Sequence, residues 1–309
     1  MHLLSLKDWP ATLIEEVIDH GLYIKRHPQE FAGAMQGKTL LMLFEKPSLR
    51  TRVSFEVGME QLGGHAIYYD LGSSPRGKGK ESIADLARTV SRYVDVIMAR
   101  TFEHADIEEL AQQATVPVIN GLSNFTHPCQ ILGDLLTLRE KKNKLAGLKL
   151  AYLGDANNNV THSLLFACPK VGMHIRIGCP ADAAYEPQPE VFATARALAE
   201  SVGTKAEIHH EAAAAVAGAD VVYTDSWMSY HIPNYLREAR FAALSRFQVT
   251  AELMRRAKPD AVFMHCLPAQ RGVEQTADVI DGPQSIVFDQ AENRLHIQKA
   301  IILKLVGNL

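Results

Sequence analysis

Short apolar runs alternate with helix-period stretches along nearly the whole chain, and this pattern constrains the fold more than any other feature. Residues 12–25 place Leu13, Ile14, Val17, Ile18 and Leu22 three or four positions apart, the spacing of an amphipathic helix. Thr39–Phe44 reads as a fully buried strand, and a helix follows from about Thr51. Further on, strands are expected at Ala66–Tyr69, Val94–Ala99 and Val116–Ile119, separated by helices at Ser82–Tyr93 and Asp106–Ala114. Uninterrupted apolar strands alternating with helices build parallel sheets covered on both faces.

A second series begins after Leu145-Ala146-Gly147, with strands expected at Lys149–Leu153, His174–Cys179, Ala206–His209, Asp220–Thr224, Ala261–His265 and Ser285–Phe288. One continuous helix over 127–142, with Ile131, Leu135, Leu136 and Leu138 as its apolar positions, bridges the two series. The segment Glu292 to Val306 is another amphipathic helix, able to return to the first domain. The expected fold is therefore α/β: two doubly wound parallel-sheet domains joined by a bridging helix and a returning C-terminal helix. Their expected extents are 1–142 with 291–309, and 143–290.

Composition removes several classes of function. The 309 residues are 47% hydrophobic and 22% charged, the balance of a globular chain large enough for two cores. A net charge of −3 with no long run of one sign argues against nucleic acid or a membrane surface as the partner. Cys129, Cys168, Cys179 and Cys266 are scattered without CxxC pairing, so neither a disulfide framework nor a metal site is expected. The N-terminus carries no signal-peptide pattern, and no run of about eighteen apolar residues occurs, so a cytoplasmic location is expected.

Three stretches carry chemistry. In Phe44-Glu45-Lys46-Pro47-Ser48-Leu49-Arg50-Thr51-Arg52 a buried strand ends and a helix begins. The helix N-terminus offers unpaired amides, and Ser48, Thr51, Arg50 and Arg52 add hydroxyls and fixed cations, a set suited to phosphate. The same residues also suit a capping serine with two solvated arginines. Thr126-His127-Pro128-Cys129-Gln130 opens the bridging helix, with Pro128 tolerated in the first turn and His127 and Gln130 three apart on one face. That histidine and amide can hold a small carbonyl and its NH₂ group. His265-Cys266-Leu267-Pro268 ends an expected strand at the sheet edge where open α/β folds bind ligands. A buried, inert thiol is the other reading of Cys266.

Together the three stretches resemble the ornithine and aspartate carbamoyltransferase family. Ser48-Leu49-Arg50-Thr51-Arg52 is similar to the family's S-T-R-T-R phosphate loop, with leucine at the second position, where the backbone amide survives the change. His127-Pro128-Cys129-Gln130 resembles the H-P-x-Q element in its ornithine-type form, and His265-Cys266-Leu267-Pro268 resembles the H-C-L-P element of the ornithine branch. The resemblance covers essentially the whole chain.

It implies that carbamoyl phosphate is bound by Ser48, Leu49, Arg50, Thr51, Arg100, His127, Gln130, Cys266, Leu267 and Arg294. It assigns L-ornithine to the second domain: Asn159 to its α-carboxylate, Asp225 to its α-amino group, with Ser229 and Tyr230 beside it. Arg100, His127, Cys266 and Asp225 are the expected catalytic residues, with no metal and no organic cofactor. A homotrimer, or an assembly of trimers, is also implied. One departure bears on the acceptor: Ser229-Tyr230-His231 stands where the ornithine branch has Ser-Met-Gly. Putrescine, lysine or an N-acylated ornithine are the alternative acceptors, but Asn159 and Asp225 would lose their partners with putrescine. A dinucleotide-dependent oxidoreductase is disfavoured because Gly154-Asp155-Ala156-Asn157-Asn158-Asn159 lacks G-x-G-x-x-G. A non-catalytic regulatory relative is disfavoured because every anion-holding position is filled.

Overall fold

The computed structural model describes residues 1–74, 79–229 and 232–307. Two compact units divide the chain, Met1–Glu140 with Glu292–Leu309, and Lys141–Ala291.

In the first unit the strands are β1 (Thr39–Phe44), β2 (His65–Asp70), β3 (Val96–Arg100) and β4 (Val118–Leu122), all parallel in the order β2-β1-β3-β4. Helices α1 (Ala11–Arg26), α2 (Leu49–Gln61), α3 (Ile83–Val90) and α4 (His104–Gln113) surround them, and α5 (Pro128–Lys142) leaves toward the second unit. β1 and β3 are the central strands, and β3 is buried along its full length, which explains its unbroken apolar run. One face of the sheet closes over Leu41, Leu43, Ile97 and Ala99 with Leu86, Ile107 and Leu110 from the helices. The strand order reverses between β1 and β3, so their C-terminal ends frame a crevice where such sheets bind ligands. Phe44 pairs with Arg100, so the loop after β1 emerges beside that arginine.

The second unit contains β5 (Lys149–Leu153), β6 (His174–Gly178), β7 (Ala206–His209), β8 (Val221–Thr224) and β9 (Val262–His265), parallel in the order β7-β6-β5-β8-β9. Its helices are α6 (Asn159–Lys170), α7 (Pro189–Val202), α8 (Ala212–Val216), α9 (Arg237–Leu244), α10 (Ala251–Met254) and α11 (Ala277–Ile280). Here the order reverses between β5 and β8. Leu153 pairs with Thr224 and Thr224 with His265, so Gly154, Asp225 and Cys266 emerge side by side.

The expected strand at Ser285–Phe288 does not form. Phe263 donates to the Gln284 carbonyl at 2.8 Å and accepts from the Ile286 amide at 3.0 Å, one bridge beside β9. The chain then enters α12 (Val287–Val306), with Asp289 in a first turn that favours negative charge. Ile286-Val287-Phe288 mimics a strand by composition, yet among the described residues the backbone bonds to β9 stop at Ile286. The α12 helix carries the chain back into the first unit. Among the described residues, no helix is long and apolar enough to cross a membrane.

Candidate functional site

One constellation lies in the first unit and is built around a helix start. Ser48 caps α2 in an extended conformation, and its Oγ accepts from the Thr51 amide at 3.4 Å and lies 3.1 Å from Thr51 Oγ1. The amides of Leu49 and Arg50, first in the helix, have no helical carbonyl ahead of them and sit at its positive end. Thr51 is buried and Arg50 half-buried, whereas the Leu49 side chain is exposed and contributes only backbone. Arg52 is turned away from this role: it pairs with Glu56 at 2.9 Å and lies over the Tyr68 ring.

Around that helix start the unit gathers cations. Arg100, at the end of β3, and Arg294, from α12, are 5% and 4% exposed. Arg294 donates through Nη1 to Gln130 Oε1 and through Nη2 to Thr51 Oγ1 at 3.5 Å, and Gln130 Nε2 donates to Asp134 Oδ1 at 2.8 Å. The close approach of α12 to α5 depends on Gly133, where a Cβ would lie 3.3 Å from Arg294 Cδ and 3.5 Å from Ile297 Cγ2.

His127 precedes Pro128, the first residue of α5, and its carbonyl accepts from the Gln130 amide at 3.1 Å. Burial, followed by the charges of Arg294, Arg100 and Lys46, holds its pKa well below the ordinary histidine value. That shift favours the neutral imidazole, a hydrogen-bond donor without charge. Cys129 next to it is a structural thiol: burial raises its pKa to about 12, and its Sγ donates to the Asn120 carbonyl at 3.4 Å.

Sequence reasoning missed Lys46. It is 5% exposed, its Nζ lies 4.6 Å from the centre of the Phe102 ring, and among the described residues no carboxylate oxygen approaches it within 4 Å. Burial first, then the Arg100 charge, lower its pKa to about 8, with Glu45 and Glu103 pulling the other way. Its place in the strand-to-helix loop was visible in the sequence, but a lysine beside Glu45 reads there as a solvated pair.

A separate constellation lies in the second unit at the ends of β5, β8 and β9. Asn158 caps α6, its Oδ1 accepting from the Thr161 amide at 2.9 Å, which leaves Asn159 as the first helical residue, half-buried at a positive helix end. Asp225 follows β8 and is half-buried, and Cys266 Sγ donates to its Oδ1 at 2.9 Å. Burial raises the Asp225 pKa, opposed by the thiol and by the Ser226 amide. His265 Nδ1 accepts from the Leu267 amide at 2.9 Å, and Leu267 adopts a left-handed φ of 58° ahead of a cis bond to Pro268. One ligand atom from each of Asp225, His265 and Cys266 lies within 4.8 Å of the others. Ser229 is half-buried, and its carbonyl accepts from the Ile232 amide at 2.9 Å. Tyr230 and His231 lie outside the described residues.

Thus Ser48, Leu49, Arg50, Thr51, Arg100, His127, Gln130 and Arg294 belong to the first unit. Asn159, Asp225, Ser229, Cys266 and Leu267 belong to the second. Two further buried groups in the second unit escaped the sequence. Arg240 of α9 pairs with Asp155 in the loop after β5. Glu274, 2% exposed, has a pKa raised to about 7 by burial, despite a 2.9 Å bond from the Gln270 amide. Both read in sequence as solvated charges, Arg240 because Asp155 is distant along the chain and Glu274 because nothing local marks its burial.

One unit holds cations and helix amides for a compact anion, and the other holds a carboxylate, an amide side chain and a thiol for an amine. Each set suits what a group transferase with an anionic donor and an amine acceptor requires. Residues 1–140 match the model described as "Aspartate/ornithine carbamoyltransferase, carbamoyl-P binding domain", and residues 146–305 match its "Asp/Orn binding domain". An ornithine carbamoyltransferase of Thermococcus kodakarensis is 52% identical over 275 residues, 89% of this chain and 86% of the relative. Another, from Bacillus cereus, is 46% identical over 307 residues, 99% of this chain and 95% of the relative. The solved ornithine carbamoyltransferase of Pyrococcus furiosus superposes with a TM-score of 0.94 at 47% identity, covering 100% of this chain and 97% of that one. The chain belongs to the aspartate/ornithine carbamoyltransferase family.

Proposed function

We propose that this enzyme transfers the carbamoyl group of carbamoyl phosphate to the side-chain amine of L-ornithine, giving citrulline and phosphate. The observation that carries the acceptor is the register of the second sheet, which sets Asp225, its thiol partner Cys266 and the loop leading to Asn159 side by side. Asn159 and the start of α6 suit an α-carboxylate, and Asp225 suits an ammonium.

In the first unit the phosphate is taken by the Leu49 and Arg50 amides, Ser48, Thr51, Arg50 and Arg294. The neutral N–H of His127, with Arg100 and Thr51, meets the carbamoyl oxygen, where negative charge grows as the amine attacks. Gln130 keeps an acceptor lone pair for the carbamoyl NH₂ beyond the one that Arg294 uses. The amine nitrogen bonds to the carbamoyl carbon, the carbon–oxygen bond to phosphate breaks, and the nitrogen loses a proton. Asp225, bonded to Cys266, anchors the α-amino group and so aims the side-chain amine, and the departing phosphate takes that proton. The reaction balances from the two substrates alone, without metal or organic cofactor. Cys266 and Leu267 are further proposed contacts to carbamoyl phosphate, and Ser229 and Tyr230 to ornithine.

The same reading extends to a homo-oligomer, a trimer or an assembly of trimers, in the cytoplasm. Leu49 and Val53 on α2, with Ile67 and Tyr69 on the edge strand β2 that packs beside it, expose apolar surface suited to a second copy.

Ureido product formed from carbamoyl phosphate with L-ornithine, L-lysine, putrescine or N-acetylornithine tests the assignment. L-Ornithine should give the largest kcat/KM. A preference for putrescine or N-acetylornithine overturns the acceptor, and no ureido product with any amine overturns the carbamoyl transfer.

A further inference from the structure

The two loops that bear Asn159 and Asp225 are joined by one side chain from a third element. Arg240 projects from α9 and is 9% exposed. Its Nε donates to the Trp227 carbonyl at 2.9 Å, two residues beyond Asp225, and its Nη2 pairs with Asp155 Oδ2. Its guanidinium also lies 5.1 Å from the centre of the Tyr185 ring. Asp155 passes the constraint on: Oδ1 accepts from the Asn157 amide at 3.0 Å, and its carbonyl accepts from Tyr152 Oη at 2.8 Å. Asn158, which caps the helix that Asn159 begins, donates to the same Tyr152 Oη at 2.8 Å. The loops also meet directly at Gly154, whose φ is 121° and where a Cβ would lie 2.9 Å from Trp227 Nε1.

We propose that Arg240 is a positioning residue for the acceptor, fixing the separation between the carboxylate-binding Asn159 and the ammonium-binding Asp225. This rests on the acceptor reading given above. A planar guanidinium can bind a carbonyl and a carboxylate in two directions at once, whereas a lysine ammonium can keep the charge but not the fork. An acceptor that engages both loops should therefore depend on Arg240, and one that lacks the α-carboxylate should not.

The test compares the parent enzyme with Arg240→Gln and Arg240→Lys. The KM for L-ornithine should rise about tenfold or more in Arg240→Gln, the loss expected of a hydrogen bond to a charged group. The KM for carbamoyl phosphate should stay within about twofold, because its charged ligands lie in the other unit and Arg240 bonds to neither Cys266 nor Leu267 among the described residues. The kcat/KM for putrescine should barely move, so the preference for ornithine over putrescine collapses. Arg240→Lys should recover part of that preference. Calorimetry with L-norvaline, in the presence of carbamoyl phosphate, removes any dependence on turnover. Norvaline keeps the α-carboxylate and α-amino group but lacks the reacting amine, and its affinity should fall in parallel with ornithine's. Equal losses for both substrates, unchanged ornithine preference, or no norvaline binding to the parent would each overturn the role. Failure of the parent to carbamoylate ornithine while norvaline still binds in an Arg240-dependent way would overturn only the acceptor reading.

Discussion

Lys46 should make the binding of carbamoyl phosphate weaken above about pH 8. Its ammonium is buried beside Arg100 without a carboxylate within 4 Å among the described residues, and its pKa is lowered to about 8. Such a cation is costly to bury until an anion arrives. A dianionic phosphate bound nearby favours the ammonium and so prefers the protonated protein. The sign follows: affinity is full below the pKa of the free protein and declines as pH rises through it. If only the ammonium form binds well, apparent Kd scales with one plus the ratio of neutral to protonated lysine. That factor is about 1.1 at pH 7 and about 11 at pH 9, so affinity should drop about tenfold across the interval. Neither ligand nor neighbour confuses the reading, because a monosubstituted phosphate is already largely dianionic above about pH 6 and burial holds the His127 pKa well below this range. Calorimetric titration with carbamoyl phosphate at pH 7, 8 and 9, without acceptor, gives the profile. Lys46→Arg should flatten it, since a guanidinium stays charged, and Lys46→Met should be weak and flat. A parent Kd constant from pH 7 to 9, or the same decline in Lys46→Arg, would refute this reasoning.

Gly133→Val places branched bulk where even a Cβ meets Arg294 Cδ at 3.3 Å, so α12 must shift from α5. Carbamoyl phosphate affinity should fall about tenfold or more by displacement of the Arg294 fork, with overpacking costing about 1–3 kcal/mol in denaturant melts; normal affinity would count against the placement of Arg294. Glu274 is held protonated by burial up to about pH 7, so its contribution to stability is complete below its unfolded pKa near 4.5 and disappears as pH rises to 7. Glu274→Gln should remove that pH dependence, about 3 kcal/mol at most, and make the protein relatively more stable at pH 8 than the parent; parallel stability–pH curves would contradict it. Cys266→Ala deletes the thiol donor to Asp225 and should raise the KM for ornithine more than the Kd for carbamoyl phosphate, whereas the reverse order would show that its main contact is to carbamoyl phosphate and not to Asp225 and the acceptor.

Strand positions were legible where apolar runs were long and bounded, as in Thr39–Phe44 and Lys149–Leu153, because a strand buried on both faces leaves no polar alternation to misread. Ser285–Phe288 misled because β-branched and aromatic residues at the start of α12 look like a strand. The motif loops could be read because each needs several chemically distinct residues at fixed spacing. Arg240, Asp155, Glu274 and Gly133 could not. Arg240 and Asp155 are far apart in sequence, Glu274 is unusual only because it is buried, and Gly133 is one glycine in a helix until Arg294 packs on it. Lys46 is intermediate: its loop was singled out, but its depressed pKa depends on its burial and on Arg100 arriving from β3.

The most direct test of carbamoyl transfer follows the carbon. Carbamoyl phosphate labelled with ¹³C at the carbonyl is mixed with enzyme and L-ornithine, and ¹³C and ³¹P spectra are recorded together. The expected result is one labelled ureido carbon of citrulline for each inorganic phosphate released, with neither signal changing faster than the uncatalysed breakdown when ornithine is withheld. Rapid phosphate release without ornithine, or label appearing on protein or bicarbonate in place of citrulline, would contradict direct transfer between the two substrates.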